Sequence, residues 1–277
     1  MRALYIIITT LLIATGAFAR SDQSDSRVPG FKFIEASELT LTGKLFGDTP
    51  NPYHRMDTSR FKGLSSSENI QVRQSSGIAV AFRTDSRNIV IITEFSNISY
   101  PQNTNGISAK GYDLYIKKNG RWMYAASKAG ENGHENEPLF LIKDMDGSMH
   151  DCLLYLPLYS EEKSIRIGVD SNSTICPATN PFKYRIAVFG SSYTQGSSTS
   201  RPGMTYSAQL SRDTGLQFLN LGCSGNGKLQ SVIAKALAES EADAYLFDCF
   251  SNGDGRLYKE RLFDFIETVQ AAKPGNL

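Results

Sequence analysis

Tyr184-Arg185-Ile186-Ala187-Val188-Phe189-Gly190-Ser191-Ser192-Tyr193-Thr194-Gln195-Gly196 is the stretch that decides the fold. A short apolar run ending abruptly in small residues reads as a β-strand feeding a tight turn. Ser192 then stands just past the carboxyl end of that strand, where open α/β sheets place their ligands. The pattern recurs twice downstream. Gln217 to Leu221 reads as a strand that runs into Gly222-Cys223-Ser224-Gly225-Asn226-Gly227, and Ala244 to Phe250 as a strand that runs into Ser251-Asn252. Helical spacing separates the units. Met204, Tyr206 and Leu210 lie in the first helix, which Thr214-Gly215 ends. Leu229, Val232, Ile233, Ala236 and Leu237 share a face of a second, Lys228 to Glu239. Leu257 to Ala272 forms a third, stopped by Pro274-Gly275. Strands alternating with helices predict a parallel sheet with right-handed crossovers.

Three such turns converge on one edge of the sheet. Ser192 offers a nucleophile. Its own amide, the Gly225 amide and the Asn252 side chain offer donors for one oxygen. Acyl transfer needs this set, because negative charge develops on the carbonyl oxygen of the tetrahedral intermediate, where each donor is worth roughly 3–4 kcal/mol.

These blocks resemble those of the SGNH (GDSL-like) hydrolase superfamily. The resemblance assigns Ser192 as nucleophile and Gly225 and Asn252 as oxyanion donors. Ser191 stands where the family usually has aspartate. Gly111-Tyr112-Asp113-Leu114-Tyr115 also resembles the GxDLY motif of a β-sandwich that precedes some of these hydrolases, and Tyr155-Leu156-Pro157-Leu158-Tyr159 fits the same kind of domain. The similarity spans most of the chain after its first residues. It implies a jelly-roll-like sandwich followed by a flavodoxin-like α/β hydrolase domain, an ester substrate, and no metal or organic cofactor. The family's final block, aspartate and then histidine two residues on, has no counterpart here, since no histidine follows Ser192. The chain is therefore read as C-terminally truncated, lacking the catalytic Asp and His, inactive as given, and open at the edge of its third strand. His54, His134 and His150 are all the histidines it has, and each reads as a surface or satisfied polar residue.

The first residues read as a signal peptide. Arg2 gives a positive start, Ala3 to Gly16 is mostly apolar, and Ala17-Phe18-Ala19 supplies small residues for cleavage after Ala19. This predicts a secreted or periplasmic protein with a polar, loose leader from Ser21 to Arg27. Charged residues make up 21% and the formal net charge is +1, which gives no electrostatic case for nucleic acid or a membrane surface. In an exported chain the four cysteines permit disulfides. Cys152 and Cys176 are the candidate pair, while Cys223 and Cys249 read as small buried apolar residues.

Residues 30–178 carry β signals. Ile78, Val80 and Phe82 alternate on one face, and Asn88 to Phe95 is rich in isoleucine. Asn119-Gly120 joins Gly111–Ile116 to Arg121–Tyr124 as a hairpin. Asp146-Gly147 precedes Cys152–Leu156, and Ser164 to Val169 alternates cleanly. Many short strands with turn signals predict a two-sheet sandwich. Ser65-Ser66-Ser67-Glu68-Asn69 reads as a surface loop. The division expected is signal peptide 1–19, sandwich 30–178 and hydrolase domain 180–277. The leading function is an exported serine esterase acting on acyl esters, acetyl among them, of carbohydrate or another small molecule. The alternative is a non-catalytic protein in which exposed tyrosines or Trp122 bind glycan or a partner beside a remnant hydrolase domain.

Overall fold

The computed structural model describes residues 24–273. The expected signal peptide and its cleavage site lie outside that range. Two antiparallel sheets form a sandwich. One runs β1 (Phe31–Glu35), β9 (Ser160–Asp170), β4 (Ile89–Ile98), β7 (Leu139–Ile142). The other runs β10 (Ile175–Pro177), β3 (Ala79–Thr84), β8 (His150–Tyr155), β5 (Tyr112–Lys118), β6 (Arg121–Lys128), with β2 (Thr40–Thr42) also on β3. Period-two alternation builds the core between them. Ile34, Ile89, Ile91, Ile165 and Ile167 from the first sheet meet Val80, Phe82, Leu114 and Leu154 from the second. The Asn119-Gly120 hairpin forms as read, with φ of 50° and 78°, the pair of positive values that a two-residue type I′ turn requires.

The second half holds a parallel sheet in the order β12 (Leu216–Gly222), β11 (Lys183–Gly190), β13 (Ala244–Asp248). The serine-bearing strand is therefore the central one, at the point where the strand order reverses. That is where doubly wound sheets open a crevice. Helices α5 (Ser231–Glu239) and α6 (Gly255–Ala272) bury Ile233, Ala236, Leu237, Phe265 and Val269 against Ala187, Phe189, Leu219 and Leu221 of the sheet. Helix α4 (Tyr206–Thr214) lies toward the sandwich, where Ala208 packs with Ala79, Ala81, Leu153 and Tyr155. These are the alternate positions of β3 and β8, so both faces of that sheet are covered. Leu45, Phe46, Met56, Phe61, Leu64 and Val72 join the core of the parallel sheet, although they precede most of the sandwich in sequence.

Several expectations are corrected. Ser65 to Asn69 is no loop: Ser65 caps helix α1 (Ser66–Arg73), accepting from the Glu68 amide while the Glu68 carboxylate accepts from the Ser65 amide. The S-x-x-E spacing is that of a capping box. Helix α5 begins at Ser231 and not at Lys228, because Leu229 is left-handed (φ 55°) and drops its side chain into the core. The described end of the leader is anchored, since Asp25 pairs with Arg27 at 2.8 Å and with Arg166 at 2.7 Å. All four cysteines are free. Cys152 lies opposite Phe82 and Cys176 opposite Arg83, consecutive residues of β3, so the two side chains leave the sheet on opposite faces.

Candidate active site

Register brings the three turns to one level. Gly190 pairs with Gly222 on one side and with Asp248 on the other. Neighbouring strands lie about 4.8 Å apart, so the three turns leave the sheet side by side at one edge. They are also tied together. The Cys223 amide donates to Gly190 O (3.0 Å), the Ser191 amide to Asp248 O (3.2 Å) and the Gly227 amide to Asn252 Oδ1 (3.0 Å). Close approach makes glycine necessary at Gly190, where a Cβ would sit 2.6 Å from Asp248 O, and at two positions beyond it. A Cβ on Gly222 would collide with the Gln195 backbone, and one on Gly227 would sit 2.7 Å from Gly190 O.

Ser192 opens the short helix α3 (Ser192–Gln195) and is half-buried. Ser191 is fully buried, and its Oγ accepts from the Tyr193 amide at 3.4 Å. Serine and aspartate are both good N-cap residues, which gives a physical reason for Ser191 to replace the usual aspartate. Gly225 has φ 73° and open space on its Cβ side. Among the described residues neither the Ser192 nor the Gly225 amide has an acceptor. Asp248, at the end of β13, ties to the serine turn and to α4: its Oδ2 accepts from Thr194 Oγ1 (3.0 Å) and Tyr206 OH (2.9 Å). Asp254 is the N-cap of α6 and accepts from the Leu257 amide. Burial pushes the Cys223 and Cys249 thiols up to about 11, so both are neutral and unsuited to act as thiolate nucleophiles.

The histidines stand elsewhere. His54 Nε2 is 2.9 Å from Glu161 Oε1, and His150 Nε2 is 2.8 Å from Asp146 Oδ1. His134 lies in a turn whose amide bonds Glu131 O. None bonds Ser192 among the described residues, and no cluster of three or more His, Cys, Asp or Glu is placed there to hold a metal. Tyr193 and Phe250, beside Ser192 and Asn252, are 67% and 58% exposed, so the shelf at the strand ends is open.

Sequence reading missed the residues that surround these turns. Arg55, completely buried, donates from Nη1 to Gly222 O (2.9 Å), from Nη2 to Gln71 O (2.5 Å) and from Nε to Gln74 O (2.8 Å). Gln195 Oε1 accepts from the Ser224 amide (2.8 Å), while its Nε2 reaches Gln74 Oε1 (2.7 Å). The GxDLY residues follow the short helix α2 (Gly106–Lys110) and divide by parity. Tyr112 and Leu114 point into the sandwich core, and Asp113 and Tyr115 point at the second half. Asp113 Oδ2 accepts from the Gly203 amide at 2.9 Å and pairs with Arg201 at 3.2 Å, gripping the loop that follows α3. Burial raises the Asp113 carboxyl to about 6 against the pull of Arg201. The Arg212 guanidinium lies 4.0 Å from the Tyr115 ring centre. Trp122 is partly buried against the cluster that includes Ala81, Tyr115 and Phe182, with the Lys117 ammonium 5.6 Å from its ring centre.

A parallel sheet that carries a serine turn on its central strand, docked on an antiparallel sandwich, is the architecture of a serine ester hydrolase of SGNH type. Comparison with known families agrees. The N-terminal GxDLY domain of SGNH hydrolase-type esterases matches residues 31–175, and the GDSL-like lipase/acylhydrolase family matches residues 183–276. The chain belongs to the GDSL-like lipase/acylhydrolase family. It is similar to a Bacteroides ovatus crystal structure that bears the name GDSL-like lipase, at 37% identity and a TM-score of 0.85, covering 89% of this chain and 72% of that one. Two other solved structures share the fold. The salicylyl-acyltransferase SsfX3 of a tetracycline biosynthetic pathway is 18% identical with a TM-score of 0.69, covering 90% of this chain and 72% of its own. A family two carbohydrate esterase from Cellvibrio japonicus is 10% identical with a TM-score of 0.56, covering 88% and 76%. No curated protein matches the chain. No helix among the described residues is long and apolar enough to cross a membrane.

Proposed function

We propose that this protein is an exported serine esterase that removes acyl groups, acetyl among them, from carbohydrate esters. Ser192 is the nucleophile, and the amides of Ser192 and Gly225 together with Asn252 Nδ2 receive the oxyanion. The observation that carries the reading is the common level of Gly190, Gly222 and Asp248 on three adjacent parallel strands, which delivers all three turns to one edge. Ser192 Oγ adds to the ester carbonyl carbon, and the carbonyl π pair moves to oxygen. The donors stabilise that charge more than they stabilise the neutral ester, which lowers the barrier. Collapse expels the alcohol, and water repeats the sequence on the acyl-serine to release the acid. The open shelf flanked by Tyr193 and Phe250 suits an ester on a bulky polar alcohol such as a sugar, and the fold shared with a carbohydrate esterase supports the same choice.

The Ser192 proton needs an acceptor. Among the described residues no histidine or carboxylate bonds Ser192, so turnover by these residues alone is slow. Release of acetate from 4-nitrophenyl acetate and from an acetylated xylo-oligosaccharide tests the assignment, with Ser192→Ala as control. Hydrolysis above that control supports it. Turnover that Ser192→Ala leaves intact removes Ser192 from the mechanism. Glycan retention on an affinity gel without any turnover moves the reading to a non-catalytic binding protein. Amino-terminal sequencing of the exported product should begin at Arg20.

A further inference from the structure

The Gly225 amide is one end of the Ser224–Gly225 peptide, and the other end is held by the amino-terminal half of the chain. Gln71 Nε2, on α1, donates to Ser224 O at 2.7 Å. Gln71 Oε1 accepts from Asn226 Nδ2 at 2.9 Å, so both ends of that side chain are committed to the same turn. Asn226 Nδ2 also lies 3.3 Å from Ser67 Oγ. From the sandwich, the Tyr159 hydroxyl, itself buried, bonds Ser224 Oγ at 2.9 Å. Gly225 has no packing of its own on its Cβ side. Its N–H can be aimed only by fixing its peptide plane.

A trans peptide is planar, with C=O and N–H pointing in opposite directions. A donor on the carbonyl therefore sets the direction of the N–H, and it also withdraws electron density and strengthens that N–H as a donor. We propose that Gln71 is a positioning residue of the oxyanion hole, and that the amino-terminal half serves the reaction by aiming and polarising the Gly225 amide through Gln71 and Tyr159. This rests on Gly225 being an oxyanion donor. The two halves then form one functional unit, and removing the amino-terminal contacts disables the oxyanion hole even with Ser192, Gly225 and Asn252 in place.

The test uses Gln71→Glu, which keeps the acceptor for Asn226 and loses the donor to Ser224, and Gln71→Met, which loses both at similar volume. Tyr159→Phe is the milder companion should either variant fail to fold, and urea melts identify the folded ones. The 15N resonance of Gly225 is expected to move upfield in both Gln71 variants. The Ser224 and Asn226 amides, bonded in the native turn, should exchange at least ten-fold faster. In the acetate assay kcat should fall roughly ten- to a hundred-fold with KM within two-fold, because the amide acts on the oxyanion and not on the bound ester. A folded Gln71→Glu protein with an unmoved Gly225 resonance, unchanged exchange and unchanged kcat overturns the proposal. The resonance and exchange readings need no turnover. A wild type without activity, or one indifferent to Ser192→Ala, counts against the esterase reading and still leaves the role of Gln71 decided by these two measurements.

Discussion

Asn252 Oδ1 accepts a 3.0 Å hydrogen bond from the Gly227 amide, across two different turns of the sheet. Only the oxygen of the side-chain amide can accept, so the bond determines which way the group faces and leaves Nδ2 as the end available to a ligand. Asn252→Asp keeps the acceptor and loses the donor. It should lower kcat on acetyl esters by about 10²–10³ while the melt changes little. Asn252→Ala loses both contacts and should also destabilise the turn. Wild-type kcat in a folded Asn252→Asp protein would remove Asn252 from the oxyanion site.

Arg55 is a buried cation held by carbonyl oxygens, and among the described residues no carboxylate pairs with it. Burial lowers its pKa, which marks how poorly the site would tolerate the charge without those bonds. Arg55→Met removes a donor from the Gln71, Gln74 and Gly222 carbonyls at once, and the Gln71 carbonyl keeps the Gln74 amide at 3.1 Å. A loss on the order of 4 kcal/mol is expected in urea unfolding. Arg55→Lys should recover part of it, because one ammonium cannot reproduce the planar fork.

Ser191 caps a helix of only one turn, and that helix begins with Ser192. Ser191→Ala should cost about 1 kcal/mol in unfolding free energy and lower kcat, whereas Ser191→Asp retains a capping acceptor and should fold at least as well. Equal stability of the alanine variant would show that the cap contributes nothing there.

Glu162 is fully buried on β9, and burial raises its carboxyl to about 8, against the hydrogen bond from Ser160. Between the ordinary carboxyl value of 4.5 and about 8 the folded protein keeps a proton that the unfolded chain has lost. Its contribution to stability is complete below that window and is lost as pH rises through it. The urea midpoint of Glu162→Gln, measured against wild type, should therefore improve steadily from pH 5 to pH 8. A difference independent of pH would mean that Glu162 titrates normally in the fold.

Much of the architecture was legible because its signals are local. Asn119-Gly120 specifies a turn through the φ values that only such residues adopt easily, and β11 announces itself by an apolar run ending at Gly190. Leu229 was misread, since its apolar character suits a helix face equally well, and only the depth of the core beneath it selects the left-handed backbone. The S-x-x-E capping box at Ser65 was available in the sequence, but a run of serines also reads as a surface loop, and neighbouring residues alone do not separate the two.

The sequence by itself determined most of the strands, though not β1, β2, β7 or β10, the order of the halves, and the serine, glycine and asparagine in the turns that follow three successive strands, because periodicity and turn chemistry act over a dozen residues or fewer. Only the tertiary structure decided what holds those ends in place. Gln71 and Ser224 are 153 positions apart, and Arg55 and Gly222 are 167 apart. A hydrogen bond between such residues leaves no periodic trace in either segment. It exists because one core, built from parts of the chain as distant as Met56 and Val72 on one side and Leu221 and Cys223 on the other, brings a donor and a carbonyl within 3 Å.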